Sequence, residues 1–530
     1  MVKAVPAAEA DVIVVGAGSA GSAAAARLAD AGRSVLLVEA GRGRWRVVTR
    51  MPGAVIGLVG RPGFDWCHFS EEDRTRHGRR ELWSRGKLPG GSSAINGMVF
   101  VRGAASDFDA WERLGARGWS AADVLPIFRR LERTDFDDAT RGRDGPIPVS
   151  RLSCMHPLTA CFVEACRSLG IPLNADLNGI RQEGVGYVQA NIARGRRVDA
   201  FDAYVRPRIG SKLRFLAGHR ANRIVFDGNR AVGIEMDRDG VTSFLSARGG
   251  VVLCAGAIGS PHLLMLSGIG PAHDLRACGI VPRMDMPEVG RNLMEHPAVF
   301  VDVEVDCATG NSDAQLPKAL LHGARWLLRG DGPAANPAAQ ALAFFRSSAR
   351  ADEPDLQFQL FAFARTTARW LEDRRLMSLS VSLSHPESRG FLRLRSADPG
   401  NLLEIHPHLL AARPDVHLLA RGFDWARRVI CAAPFAAHVV KDLTPHAGST
   451  EELEIYIRKA AEPLYHVAGT CRMGSDAASV LDPSLRVRNT DGVWVADTSI
   501  FPRHISGNTH ATALMIGERA GELIAAATRP

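Results

Sequence analysis

Residues Gly16 to Gly21 read GAGSAG, and glycines at that spacing suit the binding of a pyrophosphate. Gly16 permits a tight turn, Gly18 lets backbone approach phosphate oxygens, and Gly21 lets a helix lie close against a strand. The start of the helix that follows offers free N–H groups and about half a positive charge. Glu39 comes 18 residues after Gly21, where a carboxylate can accept hydrogen bonds from ribose hydroxyls. An acid there disfavours a 2′-phosphate, and with it NADP, while NAD and FAD both stay open. A second stretch, Ser84 to Met98 (SRGKLPGGSSAINGM), gathers four glycines and three serines in 15 residues. It cannot fill a core, and it reads equally as a surface loop and as a loop folded over a flat polar cofactor.

The elements that must position these residues follow from the apolar pattern. Asp11–Val15 (DVIVV) and Ser34–Glu39 (SVLLVE) are runs of the kind buried on both faces of a parallel sheet, and the Ala-rich Ser19–Ala31 is a helix between them. This βαβ unit predicts an α/β protein with a doubly wound, Rossmann-like sheet. The sheet returns at Arg248–Ala255, before a helix beginning near Ser260-Pro261, and at Gly492–Asp497, before a helix over 508–526. Alternating segments between these returns, such as Gly390–Arg395 (GFLRLR), suit an antiparallel sheet with one wet face. The expected organisation is a discontinuous nucleotide-binding domain (8–155, 205–300 and 462–530) with an inserted α+β substrate domain (156–204 and 301–461). Phe344, Phe345, Phe358, Phe361 and Phe363 could line an apolar cavity, but the core of the antiparallel sheet is the favoured reading, since Phe361 and Phe363 alternate with Leu360 and Ala362 as in a strand.

Composition narrows the class. A chain of 530 residues has room for two or three lobes, and 46% hydrophobic with 23% charged residues excludes disorder, collagen and coiled coil. The net charge of +8, from 65 Lys and Arg against 57 Asp and Glu, is mild at this length. Arg-rich stretches such as Arg74–Arg80 lack interleaved aromatics, so no nucleic-acid partner is expected. Nine cysteines without a CxxC pair argue against a disulfide framework or structural zinc and suit a reducing compartment. The opening MVKAVPAAEA lacks the pattern of a signal peptide, and no run of about 18 apolar residues occurs. A cytoplasmic protein with no membrane span is the expectation.

Three more stretches stand out: Gly256–Pro271 (GAIGSPHLLMLSGIGP), Gly290–Pro297 (GRNLMEHP) and His466–Gly474 (HVAGTCRMG). With the two above and Val495–Gly521 (VADTSIFPRHISGNTHATALMIGERAG), they resemble the glucose–methanol–choline (GMC) oxidoreductases, in the family's order and over nearly the whole chain. The resemblance implies FAD as the cofactor. By motif position, Gly16, Gly18, Ser19, Gly21, Glu39 and Ala40 would hold its ADP half, and Ala221 would meet adenine through the backbone. Gly91, Ser92, Asn96, Gly97, Met98 and Val99 would line the pyrophosphate and isoalloxazine, with Ala255 and Asp497 near the pyrophosphate and ribityl chain. Some members attach the flavin through a His just before that Asn. Ile95 stands there instead, so non-covalent FAD is implied.

His466 takes the family's catalytic His position, where a neutral imidazole accepts the alcohol proton while hydride leaves for flavin N5. Asn508, 42 residues later, takes the position of the second polar partner and could donate to the substrate oxygen. A plain N-cap is its alternative reading. Asn508, Thr509 and His510 also open the last helix, whose N–H groups and dipole can face the flavin. His510 departs from the family pattern and is either a flavin-edge donor or a rival to Asn508. Cys471 reads as a small packed hydrophobe, and His296 as a structural residue near the flavin or the domain junction.

The implied function is FAD-dependent oxidation of a primary or secondary alcohol to its carbonyl, with O2 or another acceptor reoxidising the flavin. The expected partner is a small-molecule alcohol, primary and of aromatic or aliphatic body, because no cluster of aromatic and acidic residues announces a quaternary ammonium site. A lyase of the hydroxynitrile type, with the same fold and no net redox chemistry, is the alternative. A nicotinamide dehydrogenase would leave every motif after the first unexplained.

Overall fold

The computed structural model describes residues 9–43, 46–364 and 374–528. Most of the opening decapeptide and the expected domain ends at residues 8 and 530 lie outside them.

Two sheets organise the chain. The first runs in the order Leu213–Ala217, Val35–Glu39, Ala10–Val15, Val241–Leu253, Arg230–Arg238, Arg220–Asp227, with Val493–Val495 also paired to Val241–Leu253. Ala10–Val15, Val35–Glu39, Leu213–Ala217, Val493–Val495 and the second half of Val241–Leu253 are mutually parallel. The first half of Val241–Leu253 turns to an antiparallel meander with the remaining two strands. Val12, Ile13, Val14 and Leu37 are fully buried, as strands covered by helices on both faces require. The architecture is α/β and doubly wound.

Two helices converge on one end of this sheet because glycines let them. A Cβ on Gly21 would lie 1.9 Å from the Gly16 carbonyl oxygen, and one on Gly517 would lie 2.1 Å from that of Ala20. Helices Ser19–Asp30 and His510–Ala527 therefore touch backbone to backbone. The fully buried Glu518 fixes their rotation, accepting from Arg27 Nε at 2.6 Å and Arg130 Nε at 2.9 Å. Their N-termini end side by side, with Ser19 Oγ 2.9 Å from His510 Nδ1.

The second sheet is antiparallel: Val439–Asp442, Pro297–Val305, Leu376–Leu383, Leu356–Phe361, Ala339–Phe345, Gly184–Tyr187, with Glu462–Pro463 paired to the start of Pro297–Val305. Strand alternation gives it two unlike faces. Val299, Val301, Val303, Leu379, Val381 and Phe358 pack on helices Leu158–Ser168, Arg413–Ile430 and Thr450–Ala460. The other face carries Phe300, Asp302, Gln357, Gln359, Phe361, Ser378, Ser380 and Ser382, and five of these bound the central cavity.

Several local expectations are corrected. The helix expected near Ser260-Pro261 begins at Gly256, so Pro261 lies inside it. Proline supplies no N–H to the carbonyl one turn earlier, and Thr470 Oγ1 donates to that Ala257 oxygen instead, at 2.5 Å. The last helix begins at His510, not 508. Phe391–Arg393 pairs only with Glu404–His406, as a two-stranded ribbon apart from the large sheet. Phe344, Phe345 and Phe358 are core, but the strand ends at Phe361, and Phe361 and Phe363 face the cavity. All nine cysteines are free thiols and Cys471 is fully buried. Among the described residues no helix is long and apolar enough to cross a membrane.

Candidate active site

A cavity of about 900 Å³ lies between the two sheets. Every residue put forward from the sequence as catalytic or cofactor-binding lines it except Gly21, which serves helix packing. Its inner part is main chain. A Cβ on Gly91, whose φ is +53°, would lie 2.8 Å from Gly18 Cα, so the two glycine-rich loops touch there. Gly18 and Gly97 have no heavy atom within 4 Å of the Cβ position; their bare sides open onto the cavity. Glu39 is pinned at the strand end, Oε2 accepting from Ala17 N–H at 3.0 Å and Oε1 from Gly41 N–H at 2.7 Å. Burial nevertheless pushes its carboxyl up to about 7.

Other wall residues are held by their own partners. Asn96 Oδ1 accepts from Met98 N–H at 3.0 Å and from Arg197 Nη1 at 2.7 Å, which supports Met98 in a left-handed conformation at φ +60°. Arg197 is buried and its guanidinium is lowered to about 10 by that burial. Asp497 accepts from Gly256 N–H at 2.9 Å, Ser260 Oγ at 2.5 Å and Ser499 N–H at 2.8 Å, capping the helix that follows Ala255. Ile95 is buried on the same wall. Ala221 sits on the wall within strand Arg220–Asp227.

Among the described residues, five buried polar atoms of cavity-lining side chains have no hydrogen-bond partner: His68 Nδ1, Arg85 Nη2, Arg220 Nε, His262 Nε2 and Asn508 Oδ1. Each such group costs about 1–3 kcal/mol if left unsatisfied. A wall of bare glycine backbone, helix N-termini and unpaired polar atoms fits a large, polar, pyrophosphate-bearing ligand such as FAD.

At the other end of the cavity His466, His296 and His504 form a chain of contacts, the His296 and His504 ring centroids lying 3.7 Å apart. His466 Nδ1 is 2.9 Å from His296 Nδ1, and His466 Nε2 is 3.1 Å from Asn508 Nδ2. His296 Nε2 faces two carbonyl oxygens, Ser384 at 3.1 Å and Ile505 at 3.0 Å. Carbonyls only accept, so Nε2 of His296 carries the hydrogen, and in the neutral ring its Nδ1 is then an acceptor. Nδ1 of His466 must therefore donate, which leaves the lone pair of His466 Nε2 on the cavity wall, where it accepts from Asn508 Nδ2. Burial, with help from His296 and Arg85, holds His466 well below its ordinary value, and burial lowers His296 to about 4. Both rings are neutral at physiological pH.

The loop bearing His466 is fixed from behind. Glu295 Oε1 accepts the backbone N–H of both His296 and His466, at 2.9 and 2.7 Å. Arg85 donates to the Tyr465 oxygen at 2.6 Å, and His504 Nε2 donates to the His466 oxygen at 2.8 Å. Asp107 takes the N–H and hydroxyl of Ser506, both at 2.8 Å, and so anchors the loop that leads to Asn508.

Of the two rivals for the second polar role, Asn508 is beside His466, whereas the His510 ring bonds Ser19 and is lowered to about 4 by burial. Asn508 is not the N-cap either; Thr509 occupies that position. Sequence reasoning missed Glu295, Arg85 and His504, and gave His296 only a structural part. The sole signal was the adjacency of Glu295 and His296 in GRNLMEHP, since His296 is 170 residues from His466.

Comparison with known proteins agrees with this geometry. Residues 10–298 and 386–517 match the family models described as GMC oxidoreductase. The chain belongs to the GMC oxidoreductase family. It is an FAD-dependent oxidoreductase acting on CH–OH donors. It is 36% identical over 525 residues to an oxygen-dependent choline dehydrogenase of Rhizobium johnstonii, covering 97% of this chain and 95% of that one. It is also 36% identical to the mitochondrial choline dehydrogenase of Homo sapiens, with 97% and 89% covered. Among solved structures, pyridoxine 4-oxidase from Mesorbium loti superposes with a TM-score of 0.88 at 32% identity, over 97% and 98% of the two chains. A formate oxidase of Aspergillus oryzae RIB40 reaches a TM-score of 0.91 at 24% identity over 99% of each chain, a likeness of fold alone.

Proposed function

We propose that this GMC oxidoreductase oxidises an uncharged primary alcohol to the aldehyde, with His466 accepting the hydroxyl proton. The observation that carries this reading is the lone pair on His466 Nε2, set by the His296 contact and facing the cavity beside Asn508. When bound, FAD supplies the acceptor for the hydride that leaves the carbinol carbon. Gly16, Gly18, Ser19, Glu39 and Ala40 would hold its ADP half with Ala221, and Gly91, Ser92, Asn96 to Val99, Ala255 and Asp497 the rest. Ile95 offers no nucleophile, so binding is non-covalent.

The other steps belong to the chain's own groups. His466 Nε2 takes the proton, and the resulting imidazolium keeps its Nδ1 hydrogen bond to the His296 lone pair. Asn508 Nδ2 donates to the substrate oxygen as it gains charge, a contribution that strengthens in the transition state. The N-terminus of helix His510–Ala527 places partial positive charge along the same wall. Nothing in these contacts favours the lyase alternative.

Substrate choice follows from the second sheet. Phe300, Phe361 and Phe363 give an apolar wall, while the acids there are engaged: Asp302 accepts from Ser378, and Glu462 is 3.8 Å from Arg79. Lys459 and Arg79 line the same side. Although relatives are named for choline, a wall with cations and engaged acids favours an uncharged aromatic or aliphatic alcohol over a trimethylammonium one. Anaerobic reduction of the bound flavin, followed across a panel of benzylic, aliphatic and quaternary-ammonium alcohols, tests the proposal. Bleaching by the first two classes and at least tenfold slower reduction by choline is expected; no bleaching by any alcohol would overturn it. Peroxide formation against dye reduction then identifies O2 or another acceptor.

A further inference from the structure

Helix Lys318–Arg329 (KALLHGARWLLR) presents its apolar side to solvent. Trp326 is its buried anchor, 1% exposed, with the indole N–H donating to the Gly195 oxygen at 2.7 Å. At about 100° per residue, Leu320, Leu321, Ala324, Leu327 and Leu328 fall on the side opposite Trp326. Leu320 is 68% exposed, Leu321 66%, Leu327 55% and Leu328 85%, with Leu316 just ahead of the helix at 73%. Single exposed leucines need no explanation, but five on one short segment form a patch that does.

The surroundings of the patch say what covers it. Lys318, Arg325 and Arg329 flank the leucines on the same helix, and Arg196 stands over the Trp326 ring at 5.3 Å. Arg325 is paired to Asp331 at 2.6 Å; Lys318 and Arg329 form no ion pair with the described residues. The helix carries no Asp or Glu, so a second copy docking here would bring cations without acids to receive them. An apolar face with a basic border is the arrangement of helices that lie in the plane of a bilayer, leucines at the acyl boundary and cations at anionic headgroups. We infer that helix Lys318–Arg329 docks this protein on an anionic lipid surface. The turn after it, Pro333–Ala335, packs on Pro52–Gly57, whose Val55 and Ile56 line the active-site cavity, so the docked face adjoins the cavity wall.

The test uses the full-length holoenzyme and sedimentation with phosphatidylcholine vesicles, with and without about 30% phosphatidylglycerol. Binding to the anionic vesicles is expected, weaker on neutral ones and weakened by salt. Leu320→Glu with Leu328→Glu should lower the bound fraction at least about tenfold, leaving alcohol-dependent dye reduction in solution unchanged. Leu328→Glu alone, at a side chain with almost no packing to lose, serves if the double variant misfolds. Lys318→Glu with Arg329→Glu should abolish the preference for anionic lipid. Failure to sediment with either vesicle overturns the inference. So does a dimer in light scattering that Leu328→Glu converts to monomer, because the face would then be covered by a second copy. Neither outcome touches the assignment of the alcohol chemistry, which is read separately by flavin bleaching.

Discussion

Around the first sheet the cavity wall is mostly main chain: Gly16, Gly18, Gly91 and Gly97, the starts of two helices, and a carboxylate at a strand end. Around the second sheet it is side chains, with Phe300, Asp302, Gln359, Phe361 and Ser378 projecting from three neighbouring strands. A ligand read by backbone demands glycine at fixed local spacing, because a Cβ would take the ligand's space, as the Cβ positions of Gly18 and Gly97, empty of protein atoms and open to the cavity, illustrate. A ligand read by side chains asks only that strands of suitable register meet, and residues scattered between positions 300 and 378 do that. The first kind of site is written locally, whereas the second is assembled.

The comparison can be broken most decisively at Gly18. A Cβ there meets no heavy atom within 4 Å, so Gly18→Val should fold yet fill the pyrophosphate cradle. Its purified apoprotein should keep its melting cooperativity and lose FAD affinity by about two orders of magnitude, measured by fluorescence titration. If Gly18→Val bound FAD normally, the glycine loop would not be the cofactor's seat.

The side-chain half is sharpened by separating Asn508 from His510. Asn508→Ala should slow flavin reduction about 10²-fold with FAD content intact, and His510→Ala less; the reverse order would return the second polar role to His510. His296→Ala removes the acceptor that sets the His466 tautomer. We expect flavin reduction to fall about 10-fold or more with little change in substrate Kd, and the pH profile of reduction to shift. A purely structural His296 would lower thermal stability and leave that profile unmoved.

The smallest effect is on stability. His68 is lowered to about 3, His262, His296 and His510 to about 4, and His466 and His504 well below their ordinary value, all chiefly by burial. Each protonates in the unfolded chain near 6.5 but resists doing so when folded, so stability is lost as pH falls below that point. Glu39 and Glu295, raised to about 7, act oppositely and gain stability from pH 7 down to about 4.5. Six imidazoles outweigh two carboxyls, so Tm should fall modestly from pH 6.5 to 4.5 and more steeply below it. A Tm that rose over this range would contradict the burial of the histidine cluster.

These regions also differ in what a reader of the sequence could see. Strand Ala10–Val15, helix Ser19–Asp30, strand Val35–Glu39 and the carboxylate at that strand's end follow from a local pattern of apolar runs and glycines, whereas the bond from Ala17 N–H to Glu39 does not. The GRNLMEHP and HVAGTCRMG stretches were recognisable only as family motifs. Nothing in their spacing says that Glu295 holds the His466 N–H or that His296 meets His466, since the pairing arises where Met294 and Ala468 bond across a bridge. Pro261 misled because its cost is removed by Thr470, more than two hundred residues away. Phe361 and Phe363 carried the alternation of a strand, yet the strand stops at Phe361 and both rings serve the cavity.

The central claim is that the lone pair on His466 Nε2 takes the alcohol proton. Anaerobic stopped-flow reduction of the flavin in His466→Ala measures it most directly. We predict full FAD content and a limiting reduction rate lowered by about 10²–10⁴, partly restored by added imidazole. Reduction at the parent rate, with FAD bound and the fold intact, would contradict it.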